Sequence, residues 1–310
     1  ISLTWSQNDG LVITKYANNG IKTEGNYVNG VRNGDWAEYW EEVWWYDYGE
    51  DGEANTKDTL ENNNRWDSIE VVIPDFKPKL KIQGKYLNGN RDGTWTEYFE
   101  DGKRKTEFNY TNGKFDGLQS YWNPNGNKVE EKNYIGGKQQ GLWTIYFEET
   151  GIKKEEAYFK DGVQQGLWTE WFNDGQKKRE RFFTNGERDS VWTTWYENRQ
   201  KSSEENYKNG KIHGLQTKWR IDGQKRGEKR YKEGKRHGVE NTWYPSGQMA
   251  MESKWKDDQL ISSVAWKPNG QKCPDTNVKD GNGVVVWYNE DGTEWFRETS
   301  KDGWPDNPDP

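Results

Sequence analysis

Glycine returns on a fixed beat in this chain. From Gly93 it recurs at Gly117, Gly141 and Gly166, gives way to Ser190, and recurs again at Gly214 and Gly238. A second series, Gly89, Gly113, Gly137, Gly162, Gly186, Gly210 and Gly234, keeps the same interval in phase with the first. Two glycine series locked together at a period of about 24 residues predict an array of like units, each burying its face against its neighbours.

The order within a unit says what the unit is. In Gly166–Gly186 a strand carries Trp168, Trp171 and Phe172, a turn falls at Asp174-Gly175, a second strand carries Glu180 and Phe183, and Asn185-Gly186 turns into the next unit. Asn-Gly and Asp-Gly suit tight hairpin turns, whose two central residues both take positive φ. The aromatic and Thr residues between the turns favour a pleated strand. Each unit is thus a β-hairpin. The expected fold class is all-β, an open antiparallel meander of tandem hairpins.

The beat also marks out the chain. Residues 1–40 hold N-terminal repeats, with Gly10 lying one interval before Gly34. The next glycine of that series, Gly93, comes more than two intervals after Gly34, so an insertion is expected at a hairpin tip over residues 41–78. Regular repeats fill 79–260, degenerate ones 261–303, and the tail 304–310, with three prolines, is not expected to continue a sheet.

Composition decides what such hairpins can pack with. Only 30% of residues are hydrophobic and half of those are aromatic: 20 Trp, 17 Tyr and 10 Phe. Disordered chains share the low hydrophobicity but lack the rings. A thin sheet with aromatic cross-strand packing fits better than a thick aliphatic core. The net charge of −7 is uneven. Residues 41–75 hold eleven acidic and two basic residues, a local −9, which leaves +2 on the rest. No basic block suited to nucleic acid stands out. No apolar run is long enough to span a membrane. The first residue is Ile, as in a chain that has lost a signal peptide, so an exported protein (periplasmic, cell-surface or extracellular) is expected, with a cytoplasmic one as the alternative.

The residues that most often carry chemistry fall on repeat positions. His213 and His237 stand one repeat apart, where other units place Asn33, Asp92, Asp116, Gln140, Gln165 and Asp189; this is a polar turn position. Cys273 stands alone, and no nucleophilic triad can be assembled. Glu107, Glu131, Glu156, Glu180, Glu204, Glu228 and Glu252 share one position, with a basic residue three before each of the first six. Glycoside hydrolysis needs two differentiated carboxylates, whereas a row of like ones interleaved with bases reads as a structural charge ladder. No catalytic residue and no cofactor is expected, and the chain is read as a non-enzyme. Calcium is a faint possibility at Asp47 and Asp51, or at Asp275, Asn277 and Asp280.

One aromatic row is incomplete. Trp36, Trp95, Trp143, Trp168 and Trp192 share a position that holds Gln119, Gln216 and Glu240 in other units. A core row should not fade in this way, so Trp95, Trp143, Trp168 and Trp192 are expected to be exposed for binding, together with Trp44, Trp45 and Tyr46 of the insertion.

Stretches such as YTNGKFDGLQSYW, YKNGKIHGLQTKW and YKEGKRHGVENTWY resemble the MORN-repeat variants found in tandem in many bacterial proteins, some of them described as antitoxin-like. The resemblance covers residues 10–303 without the insertion. It implies an elongated, twisted, single-layered antiparallel sheet. It implies no activity: these units place Trp at the strand start and are rich in Glu and Lys, so a membrane role does not carry over. The function expected is protein–protein interaction or scaffolding, with another protein or a second copy joined through edge strands as partner. The alternative is carbohydrate or cell-wall polysaccharide binding, since Trp-Tyr-Asp-Gly hairpins also resemble choline- and glucan-binding repeats.

Overall fold

The computed structural model describes residues 10–15, 21–40 and 79–305. Trp44, Trp45, Tyr46, Asp47 and Asp51 lie outside the described residues, as does the rest of 41–78. The chain divides into two compact units, residues 1–126 and 127–310. Among the described residues there is no helix.

The first unit is a meander of β1 (Gly10–Lys15), β2 (Ile21–Val28), β3 (Val31–Tyr39), β4 (Leu80–Leu87), β5 (Asn90–Tyr98), β6 (Arg104–Thr111) and β7 (Lys114–Trp122). Each strand pairs antiparallel with the next in sequence. The second unit continues the pattern with β8 (Lys128–Ile135), β9 (Lys138–Tyr146), β10 (Lys153–Lys160), β11 (Val163–Gln164), β12 (Gly166–Trp171), β13 (Lys177–Thr184) and β14 (Glu187–Trp195). It runs on through β15 (Lys201–Lys208), β16 (Lys211–Trp219), β17 (Lys225–Lys232), β18 (Lys235–Arg236), β19 (Gly238–Trp243), β20 (Met249–Lys256) and β21 (Gln259–Ala265). These strands also pair antiparallel in chain order, except that β10 pairs with both β11 and β12, and β17 with both β18 and β19.

The first glycine series lies inside strands. Gly93, Gly141, Gly166, Gly214 and Gly238 all take positive φ, and each faces an aromatic residue of the next strand: Tyr110, Phe159, Phe183, Tyr231 and Trp255. A Cβ built at Gly93 or Gly166 would meet nothing within 4 Å, so positive φ and not crowding is what calls for glycine at these positions. Ser190, opposite Tyr207, is forced into the same left-handed conformation, at φ 56°.

The two turn types differ more than their sequences suggest. At Asn88-Gly89, Asn112-Gly113, Asn185-Gly186 and Asn209-Gly210 both residues have positive φ, as a type I′ turn requires. At Asp101-Gly102, Asp174-Gly175 and Asp222-Gly223 only the glycine does, which marks a longer turn closed by a glycine bulge. The Asp carboxylate there accepts the backbone N–H two residues on, from Lys103, Gln176 and Gln224.

Successive Asn-Gly turns are zipped together. The Gly113 N–H donates to the Arg91 carbonyl at 2.8 Å, and Gly162, Gly186, Gly210 and Gly234 donate to Gln139, Gln164, Arg188 and Ile212 one repeat back. The polar residue before the unit glycine completes the zip by accepting the N–H of the neighbouring turn. Gln140 does so from Asp161 at 2.8 Å, Gln165 from Asn185 at 2.7 Å, and His213 Nδ1 from Glu233 at 3.4 Å.

The end of the second unit departs from the meander. There β22 (Gly283–Tyr288), β23 (Glu294–Lys301) and β24 (Trp304–Pro305) form a separate three-stranded sheet. The tail was expected to leave the sheet at Trp304. Instead Lys301 pairs with Trp304 and Ser300 with Pro305, a pairing that an edge position allows because proline lacks only the donor. This sheet closes over a small aliphatic core of Met251, Leu260, Ala265, Cys273, Val278 and Val285, so packing here is not aromatic alone. Cys273 is fully buried, 2.7 Å from the Tyr288 hydroxyl, and burial pushes that phenol above its ordinary range.

Ser190→Gly removes the left-handed strain on a residue with a Cβ, and is expected to raise stability by about 0.5–1 kcal/mol in chemical denaturation. A midpoint that does not rise would show that Ser190 sits there without strain.

Candidate functional site

Residues directly opposite one another share a face of the sheet, and the face alternates along a strand. One face carries the incomplete Trp row and the rings that stand opposite the unit glycines. In the first unit these rings form an edge-to-face series: Tyr27–Trp36 at 6.2 Å, Trp36–Tyr86 at 6.0 Å and Tyr86–Trp95 at 4.8 Å. Arginines lie over it. The Arg32 guanidinium sits 4.0 Å from the Trp36 ring centre and donates to the Tyr86 hydroxyl. Arg91 does the same over Trp95 and to Tyr110.

The expectation that this row is exposed fails most clearly at Trp95, which is 2% exposed. Its ring lies against the backbone of Gly84; a Cβ built there would come within 2.2 Å of the indole. Its N–H donates to the Lys85 carbonyl at 3.0 Å. In the second unit Trp143, Trp168 and Trp192 are half-buried. Arg181 sits between the last two, 4.3 Å from the Trp168 centre and 5.0 Å from that of Trp192. Trp143 donates to Glu130 and packs edge-on to Phe159. Trp95, Trp168 and Trp192 thus lie under arginines, and Trp143 is held by Glu130 and Phe159. Where the row fades at Gln119, that side chain is itself buried, its amide tied to the Asn109 and Gly117 backbone.

The opposite face carries the glutamate row. Each glutamate stands across from a small polar residue: Glu131 from Thr144, Thr144 from Glu156, Glu156 from Thr169, Thr169 from Glu180, and Glu180 from Thr193. The buried threonines therefore hold the carboxylates two strands apart, about 10 Å. Lys128, Lys153, Lys177, Lys201 and Lys225 each pair with the glutamate three residues on. Tyr146 donates to Glu131, and burial together with that bond pushes its phenol up to about 12. The lysine partner recurs from Glu131 to Glu228, while the Tyr146 hydroxyl is an addition at Glu131, where later repeats place Trp171, Trp195 and Trp219.

The same face also carries an apolar row in the second unit. Leu142 stands opposite Tyr158, Leu167 opposite Phe182, and Val191 follows on β14. Leu142 and Leu167 are 55% and 51% exposed, and the other three are exposed as well.

A cleft of about 680 Å³ lies between the last meander strands and the three-stranded sheet. Lys229, Glu240, Thr242 and Trp255 line one wall, and Val285, Trp287, Trp295, Phe296, Glu298 and Trp304 the other. Nothing in the sequence pointed directly to this second wall, since its residues fall in units too degenerate to align. A partial signal was the loss of Trp at Glu240. Of the faint calcium positions, Asn277 Oδ1 accepts the Val284 N–H, and Asp275 lies 3.8 Å from Arg297. Among the described residues no group of three or more His, Cys, Asp or Glu is gathered as metal ligands would be. No helix among them is long and apolar enough to cross a membrane.

Fold and site together define an open hairpin-repeat protein whose distinctive surfaces are an exposed apolar row and a terminal cleft. Residues 91–112, 115–135, 164–185 and 236–257 match the family model described as MORN repeat variant, and the chain carries repeats of this family. The fourth match supplies one wall of the cleft. No curated protein matches the chain.

Glu170 supplies a pH test of the aromatic–cation face. Burial pushes its carboxyl up, but Lys178 and Arg179, at 2.7 and 3.0 Å, outweigh this and hold it below the ordinary range. A depressed folded pKa gives stability that is present above the ordinary carboxylate range and lost as pH falls through it. Melting curves should therefore show part of the acid destabilisation removed in Glu170→Gln. An unchanged acid limb would sever the link to this carboxylate.

Proposed function

We propose that the chain is a non-catalytic binding protein that holds a partner protein against its hairpin array. The observation that carries this reading is the row of Leu142, Tyr158, Leu167, Phe182 and Val191, five large apolar side chains exposed on adjacent strands of a chain that is 31% charged. Contiguous exposed apolar surface with a polar rim is the usual form of a docking surface. The Lys153–Glu156 and Lys177–Glu180 pairs flank the row, and beyond Val191 it turns polar at Asn206, which stands opposite. Catalysis has no support in the carboxylate row, most of whose members repeat one lysine pairing, or in the histidines, whose Nδ1 atoms serve neighbouring turns.

The double variant Leu142→Ser, Leu167→Ser tests the reading. Exposed substitutions of this kind shift stability by about 0.5 kcal/mol or less, so the variant should melt with the wild type. Proteins captured by the wild-type chain from its native source should be lost, with affinity for an isolated partner falling about 10- to 100-fold. Light scattering on both chains separates a second copy from a foreign partner. A partner kept by the variant, or a monomeric wild type that captures nothing, would sink the reading.

A further inference from the structure

The terminal cleft lies on the other face of the sheet from the apolar row, because Glu240 holds the repeat position of Trp168 and Leu167 precedes it. Trp143, Trp168 and Trp192 fill that position in earlier repeats. At Glu240 a carboxylate replaces an indole, and that residue lines the cleft. The cap adds its own rings across the gap. Trp287 lies 5.3 Å from Phe296, and Trp295 and Trp304 stand 61% and 55% exposed beside them. A cleft of this size falls within the range of about 300–1,000 Å³ common to small-ligand sites.

Its chemistry is mixed and nearly balanced. Lys229 and Arg236 face Glu240, Asp258 and Glu298. Glu240 Oε1 is held by Lys229 at 3.0 Å, but Oε2 has no hydrogen-bond partner in the protein, and the Trp255 indole N–H has none either. Trp95, Trp143 and Trp192, which hold the repeat position of Glu240, each have their indole N–H satisfied. An unmet acceptor and an unmet donor in one wall are each unfavourable. Both residues line the cleft, and the two atoms are themselves sealed from solvent.

An apolar peptide would strand five charged groups in such a cleft. A cationic side chain would meet Trp255 already covered by Arg236, at 4.4 Å, and would be repelled by Lys229. A neutral pyranose fits both halves of the site: its C–H faces stack on indole planes, and its hydroxyls both donate and accept. We propose that this cleft binds a neutral hexose unit of a glycan, with Trp295 and Trp304 as stacking platforms and the Lys229–Glu240 pair as the hydroxyl anchor. The proposal stands apart from the apolar row, and either can fail without the other.

Tryptophan fluorescence and calorimetry on the full chain, titrated with cellopentaose, chitopentaose and maltopentaose, test it. At least one of the three should give a saturable change. Trp295→Ala and Trp304→Ala should each weaken that binding at least tenfold, and Glu240→Gln should weaken it as well. Trp168→Ala, outside the cleft, should leave it unchanged. Because Trp295 and Trp304 are exposed, their variants should keep the wild-type melting temperature, which separates loss of binding from loss of fold. No saturation with any of the three sugars overturns the proposal, as does binding indifferent to both cap variants. Saturable binding of tetralysine that is lost in Glu240→Gln would overturn it in favour of a cation site.

Discussion

Unit glycines such as Gly93 and Gly141 turn to positive φ opposite an aromatic residue of the next strand. Much of the repeat follows from that pairing, the clasp of each hairpin. The aromatic residue must come from the next strand, which fixes the register. The Trp two residues on must pack beside that ring, which brings in Arg32, Arg91 and Arg188 as lids on the indoles. With one face filled by rings and cations, the other needs only threonines and paired charges. A thin sheet is thereby stabilised in a chain that is less than one-third hydrophobic.

The C-terminal end works differently because the clasp changes there. Trp255 stands opposite Gly238, but the neighbouring indole position holds Glu240, and no Trp–Tyr–Arg stack can form. Stability is supplied by the aliphatic core under the three-stranded sheet. The Leu260 N–H donates to the Gly303 carbonyl, and the Gly281 N–H to that of Ile261, tying the cap to the last meander strand. The cleft is the space between these two packing schemes.

The parts of this protein that depend on position within a repeat could be read from sequence. The hairpins, the Asn-Gly turns and the histidines as turn residues were all legible, because a neighbouring unit shows what each position tolerates. Burial of Trp95 was not. It depends on Gly84 across the strand, and that partner is visible only once register is known. The apolar row was missed for a related reason: Leu142 and Leu167 have unremarkable neighbours in sequence, and only the alternation of faces shows that nothing covers them. The cleft was least accessible of all. Glu240 and Trp295 lie more than two repeats apart along the chain, and they meet because degenerate units fold back as a cap.

The zip along the Asn-Gly turns has a consequence for how such a chain can change. Each turn donates to a carbonyl one repeat back, and each strand meets only its two neighbours, so gain or loss of a whole hairpin re-forms the same bonds on either side. Inserting one between Val191 and Gly238 would carry the terminal cleft about 10 Å, two strand spacings, further from the apolar row. Repeat number therefore sets the separation between two surfaces whose own chemistry it leaves untouched. In-frame duplication can tune that spacing in fixed steps.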